Sequence, residues 1–267
     1  MNKTSYPKLF SILLPAVLLS AQVFAQTAEE KGFEIAARND RSDRGFGDSR
    51  VSLKMVLRNA AGAETTRQLA LRTLEIPDES RGDKSTIVFE SPADIDGTAL
   101  LSHAKILDPD DQWLYLPALK RVKRISSVNK SGPFAGSEFA FEDLTATELN
   151  KYDYKYLRSE ACGALQCDVV ERIPRYRYSG YSKQLAWIDQ TSYQVRRIEF
   201  YDRRAELLKT LVMTEYRKYQ GGIWRAHHFH MENHQTGKST ELVYSDFSFG
   251  AGLGDRDFVK GKLGRVR

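Results

Sequence analysis

The sequence predicts a mainly β protein whose strands follow one another as an antiparallel meander. Strand-like runs occur at 51–58, 64–76, 85–91, 98–107, 111–117, 121–127, 152–159, 166–173, 182–189, 193–202, 206–217, 222–235 and 238–249. Asn59, Asp83, Pro92, Asp96, Pro109, Gly163, Asp189, Asp202, Gly221 and Gly237 punctuate them. Many short strands joined by turns, without alternating helices, argue against a parallel α/β sheet. Several runs are also apolar on both faces, as in QLAWID, where Leu185 and Trp187 alternate with Ala186 and Ile188. A sheet with one solvated face would alternate cleanly. A strongly curved sheet, with an apolar concave side and a partly covered convex side, gives such strands, as does an ordinary sandwich core.

At the N-terminus, Lys3 and Lys8 precede LFSILLPAVLLSAQVFA, a short apolar run that closes on the small residue Ala25. This pattern predicts a secretory signal peptide over residues 1–25, cleaved after Ala25, and hence a periplasmic location. Cleavage leaves residues 26–267 as one domain. It also removes two lysines, so that 38 basic residues face 35 acidic ones, a net charge of +3. So small an excess is no nucleic-acid footprint, and export argues against a nucleic-acid partner. Thr27, with Glu30 three residues later, has the form of a capping box. It predicts one short helix over 27–41 with Phe33, Ala36 and Ala37 on a single face. The run SRVSLKMVLRNA then changes period: Val51, Leu53, Met55 and Leu57 alternate with Ser52, Lys54 and Arg58, the pattern of a half-buried strand.

In the middle of the chain WLYLPALKRVKRI, residues 113–125, combines an apolar ladder with Lys120, Arg121, Lys123 and Arg124. These basic residues suit an anionic membrane surface, a lipid head group or an acidic patch on a partner, and equally an edge strand guarded by charge. After 152–159, Cys162 and Cys167 flank a turn in CGALQC. In an exported chain an even, closely spaced pair predicts a disulfide stapling a hairpin.

Catalytic patterns are sparse. The chain carries neither G-x-S-x-G nor H-E-x-x-H, and no Gly-rich phosphate loop, so an enzyme is not expected and no cofactor is implied. On a strand His228, His230 and His234 share a face with Glu232, but His234 lies roughly 13 Å beyond His230 at strand rise. A metal-dependent enzyme would have to use His228 and His230; a solvated polar face explains them better, and no metal is expected.

WLYLPALKRVKRI followed by FAGSEFAFEDL resembles the signature of the outer-membrane lipoprotein-sorting protein family, LolA-like periplasmic proteins often associated with transporters of the resistance-nodulation-division (RND) type. The matching positions are Trp113, Tyr115, Leu116, Pro117, Arg121, Arg124, Ile125, Phe134, Gly136, Ser137, Phe139, Glu142, Asp143 and Leu144, then DQTSYQVRRIEFYD at 189–202, Lys209, Gly222, Trp224, Thr240, Phe258 and Leu263. Glu138 and Phe141 stand where Asp and Tyr are expected, Ala205 replaces a turn glycine, and Arg225 replaces a common proline. The resemblance implies a curved, incomplete antiparallel β-barrel of the LolA/LolB kind, with a few helices covering a concave apolar face that takes acyl chains.

On that reading Phe134, Phe139, Phe141 and Leu144 form an adaptable lid hinged at Gly132, Pro133 and Gly136, while Trp113, Tyr115, Trp187, Met213 and Phe229 form the fixed cavity wall. The basic run would make transient contact with a membrane surface, and the partners would be a lipid or lipoprotein cargo and an RND-type inner-membrane transporter. Exposing a 16-carbon chain to water costs roughly 12 kcal/mol, which such a pocket offsets. An envelope sensor or adaptor binding a protein through the same fold is the alternative.

Overall fold

The computed structural model describes Met1, residues 26–78 and residues 81–265. The expected signal peptide, apart from Met1, lies outside the described residues. The helix α1 spans Ala28–Asp43 and opens on the expected capping box, with Thr27 and Glu30 bonding each other's backbone. Its buried face differs from the expectation: Gly32, Ile35, Ala36 and Ala37 are buried, whereas Phe33 is 46% exposed and meets only the edge of Tyr154. Gly32 decides this rotation. A Cβ there would sit 2.6 Å from the backbone nitrogen of Tyr156, so the helix lies directly on a strand only along its glycine.

The strands are β1 (Asp48–Arg58), β2 (Glu64–Leu74), β3 (Lys84–Ser91), β4 (Ala99–His103), β5 (Asp111–Leu116), β6 (Arg121–Arg124), β7 (Tyr152–Cys162), β8 (Leu165–Pro174), β9 (Tyr181–Asp189), β10 (Val195–Asp202), β11 (Leu207–Thr214), β12 (Arg217–Lys218), β13 (Trp224–Arg225), β14 (His228–Asn233) and β15 (Lys238–Phe249). Thirteen of them form one sheet in the order β6-β5-β4-β3-β2-β1-β15-β14-β11-β10-β9-β8-β7. Every pairing is antiparallel. The sheet is curved and unclosed, with β6 and β7 as its free edges, as expected of an incomplete barrel.

Two runs expected as single strands are each divided: 206–217 breaks at Glu215, which adopts φ 55°, and 222–235 breaks at Ala226–His227. Between those breaks β12 and β13 pair as a separate two-stranded ribbon, joined by a turn in which Gly221 and Gly222 adopt positive φ.

Curvature explains the strands that are apolar twice over. On the concave side Val51, Leu53, Met55, Leu69, Ile87, Phe200 and Leu211 form the main core. The convex side is covered at two places. One is a cluster of Val88, Ala99, Leu101, Phe258 and Leu263, with Trp113 and Tyr115 packed on it. The other gathers Cys167, Val169, Leu185 and Trp187. Ala186 and Ile188, the alternate residues of the Trp187 strand, belong to a third cluster under α1 with Ile35, Tyr154 and Val170.

Cys162 and Cys167 form the expected disulfide across the β7–β8 hairpin, whose turn places Gly163 at φ +66°. Replacing both cysteines with serine should lower stability by about 2 kcal/mol, the loop-closure value for so short a ring. Urea unfolding of the oxidised protein and the variant measures it.

Candidate functional site

The segment from Ile125 to Lys151 runs from one free edge of the sheet to the other, in short 3-10 turns at Ser127–Asn129, Phe134–Gly136, Phe141–Leu144 and Leu149–Lys151. Lys151, buried at the start of β7, pairs at 2.8 Å with Asp110, which precedes β5, and Lys130 donates to the carbonyl of Asp110. Asp110 thus ties both the crossing segment and the start of β7 to the loop before β5.

Six strands hold this segment from beneath. Arg67 of β2 donates to the carbonyl of Ala135, Gln112 of β5 to that of Phe141, and Tyr181 of β9 to the Asp143 carboxylate. Lys209 of β11 forms an ion pair with Asp143 at 2.7 Å and donates to the carbonyl of Glu138. Asn233 of β14 donates to the Glu138 carboxylate, and Thr240 of β15 accepts from the Glu138 amide. Glu142 in turn accepts from Tyr176, Ser179 and the amide of Gly180. Burial, then the adjacent Asp143, raises the Glu142 carboxyl above its usual range.

Between this segment, α1 and the concave face lies a cavity of about 480 Å³, within the range of small-molecule sites. Strand side chains give it a large apolar wall, with Leu53, Met55, Leu69, Ile87, Leu211 and Leu242. Charge gathers where α1 and the loops approach, at Asp40, Asp43, Arg44, Glu75, Asp83 and Glu148. Most of these groups serve the backbone or one another. Glu75 accepts from the amides of Gly45 and Gly47, Asp83 accepts from that of Ile76, and Glu148 accepts from that of Asp83. Arg44 pairs with Asp40 at 2.7 Å, and Arg225 with Asp43.

Burial, and then the nearby Glu148 and Glu75, push the Asp83 carboxyl up to about 7. This lies above the ordinary aspartate value of about 4, so the group stabilises the fold in its protonated form. That contribution is complete below pH 4 and is lost as pH rises through 7. Asp83→Asn, which keeps an acceptor for Ile76, should therefore melt several degrees above the wild type at pH 8 and with it near pH 4. Thermal melts at both values test the assignment.

The residues expected at the site divide by face. Phe134, Phe139, Leu144, Met213 and Phe229 line the cavity; Phe141 packs edge-on against Phe134 at 5.5 Å. Trp113, Tyr115 and Trp187 do not line it. Strand alternation sends Gln112 and Leu114 inward and Trp113 and Tyr115 to the convex cluster under the C-terminal segment, while Trp187 packs beside Cys167 and donates to Glu160. Lys120, Arg121, Lys123 and Arg124 are exposed at the β6 edge, next to exposed Leu119 and Val122. Among them Arg124 pairs with Asp111.

His228 and His230 both approach Glu241, at 3.8 and 3.6 Å, whereas His234 is engaged with Thr210. Among the described residues no group of three or more His, Cys, Asp or Glu could hold a metal ion. Two inward polar residues escaped the sequence reading, Arg172 and Gln184. The available signal was periodicity: Val170 and Arg172 share a strand face, which puts a guanidinium where an apolar residue would be expected.

A family model described as "Uncharacterized protein" matches residues 81–265. Among solved structures, the chain is 50% identical to a domain from Vibrio parahaemolyticus named for outer membrane lipoprotein sorting, covering 89% of this chain and 100% of that one, with a TM-score of 0.86. A DUF1329 family protein from Desulfovibrio piger is 28% identical over 89% of this chain and 99% of that one, with a TM-score of 0.84. A LolA superfamily protein from Nitrosomonas europaea shares the fold, at 23% identity, 89% and 99% coverage and a TM-score of 0.69. No curated protein matches. With half its residues shared across the whole of the Vibrio domain and a LolA superfamily fold around its cavity, the chain belongs to the outer-membrane lipoprotein-sorting protein family.

Proposed function

We propose that residues 26–267 act as one lipid-binding domain, exported to the periplasm by a cleaved signal peptide. There the protein carries the acyl chain of a lipid or lipoprotein between the envelope membranes, without catalysis. The observation that carries this reading is the 480 Å³ cavity, walled by strand side chains such as Leu53, Met55, Leu211 and Leu242 on the concave face of the sheet. A void walled in this way offers acyl methylenes an environment about 0.8 kcal/mol more favourable than water for each one buried. On this reading the exposed edge strand β6, with Lys120, Arg121, Lys123 and Arg124 beside Leu119 and Val122, touches anionic head groups during exchange. An RND-type inner-membrane transporter is the proposed donor or acceptor.

Purification of the mature protein from the envelope without detergent, followed by organic extraction and mass spectrometry, tests the proposal. A stoichiometric lipid or acylated peptide is expected. A protein that emerges empty, takes up no lipid when challenged and instead holds a stable protein partner would replace the carrier with an adaptor.

A further inference from the structure

Arg172 is 3% exposed and lies on the cavity wall, on the same face of β8 as Val170. The other cations of that wall are matched. Arg44 has Asp40, Arg225 has Asp43, Lys151 has Asp110, and Lys84 has Asp255. Among the described residues Arg172 has no ion pair and no side-chain hydrogen bond, and its Nε is a buried donor without an acceptor. Neither Glu142, which lines the same cavity and accepts from Tyr176, Ser179 and Gly180, nor Tyr154, opposite Arg172 on β7 and donating to the Leu149 carbonyl, accepts a hydrogen bond from it.

Beside Arg172 in register on β9 stands Gln184, 5% exposed, which lines the same cavity and likewise has no side-chain hydrogen bond among the described residues. A buried guanidinium that no carboxylate of the protein neutralises is costly to the fold. A planar fork of donors in that position matches the paired oxygens of a carboxylate or phosphate, and the Gln184 amide supplies a further donor.

We infer that Arg172, assisted by Gln184, receives the anionic oxygen group of an amphiphile whose hydrocarbon chain occupies the apolar part of the cavity. The inference rests on the carrier reading and narrows it: the cargo bears a carboxylate or a phosphate rather than a neutral head. The charge also gives the cargo a fixed direction, head toward β8 and β9 and chain toward Leu53 and Leu242.

Native mass spectrometry of the full mature protein, titrated separately with hexadecanol, palmitate and monohexadecyl phosphate, decides the matter. The wild type should prefer at least one anionic amphiphile to the alcohol by about tenfold or more, the size of a charge-assisted hydrogen bond. Whichever anion binds more tightly identifies the head group as carboxylate or phosphate. Arg172→Met should abolish the preference, Arg172→Lys should keep part of it, and Gln184→Leu should reduce it. Relieved of an unmatched charge, Arg172→Met should also melt no lower than the wild type in the absence of ligand.

Equal binding of all three compounds by the wild type would overturn the inference and leave the carrier intact, as would a preference that survives in Arg172→Met. A lower melting temperature for Arg172→Met would make Arg172 a structural cation and overturn it too. If none of the three compounds binds to the wild type, the carrier reading falls with it.

Discussion

Lys209→Met should destabilise the protein by about 3–5 kcal/mol, the cost of removing one member of a buried ion pair. For a chain of this size that corresponds to a fall in melting temperature of roughly 6–20 °C. The Lys209 side chain is 4% exposed and that of Asp143 7%, so solvent cannot replace the lost partner. Lys209 also donates to the Glu138 carbonyl and stands over the rings of Tyr181 and Phe200, at 5.3 and 5.2 Å. One ammonium therefore fixes two points of the segment that crosses the cavity.

The companion variant separates the charge from the tether. With Lys209→Met in place, Asp143→Asn should recover part of the loss, because the stranded carboxylate is then neutral while the amide oxygen still accepts from the Ala140 N–H and the amide NH2 can donate to the Tyr181 hydroxyl. Thermal and urea unfolding of both single variants and the double variant give the coupling. A Lys209→Met protein within 1 kcal/mol of the wild type would mean that the segment is held by its apolar contacts and that the ion pair is incidental.

The same pair bears on what the sequence could and could not disclose. Most strands, their antiparallel order and the hairpin disulfide were legible because each depends on local period or on the neighbours along the chain, whereas the breaks that set β12 and β13 apart were not. Of the crossing segment's expected residues, Phe134, Phe139 and Leu144 lie on the cavity wall, while Phe141 packs on Phe134.

Their mode of attachment was not legible. An adaptable lid hinged at Gly132, Pro133 and Gly136 was expected, and the structure shows Ala135, Glu138, Phe141 and Asp143 tied to side chains on six strands. Partners such as Lys209 and Thr240 lie far along the chain, and only the register of β11 and β15 brings them under the segment. Facing was lost for a different reason. Where a strand is apolar on both sides, alternation says that Trp113 opposes Leu114, but not which of the two looks into the cavity.

Met213→Trp should reduce acyl-chain uptake by more than tenfold while leaving the fold in place. Met213 lines the cavity from β11, in register with Phe229 of β14, which lines it too. A larger ring at this position has the void of about 480 Å³ to enter, so it displaces cargo volume before it overpacks the core. Excluding only two methylenes from the cavity forfeits about 1.6 kcal/mol of burial, already more than a factor of ten in affinity.

Trp113→Leu provides the matched control. Its side chain belongs to the convex cluster with Val88, Leu101 and Phe258 and meets His103 edge-on at 5.1 Å, so its loss should lower stability without changing uptake. Titration of both variants with a single-chain amphiphile, read beside their melting temperatures, distinguishes the two faces of the sheet. Should Trp113→Leu lose uptake and Met213→Trp retain it, the cargo would lie on the convex side, against the C-terminal segment, and the concave cavity would be only a gap in the packing. The geometry argues otherwise: the convex cluster already has Phe258 and Leu263 seated on it, whereas the concave cavity retains unfilled volume together with an unmatched guanidinium.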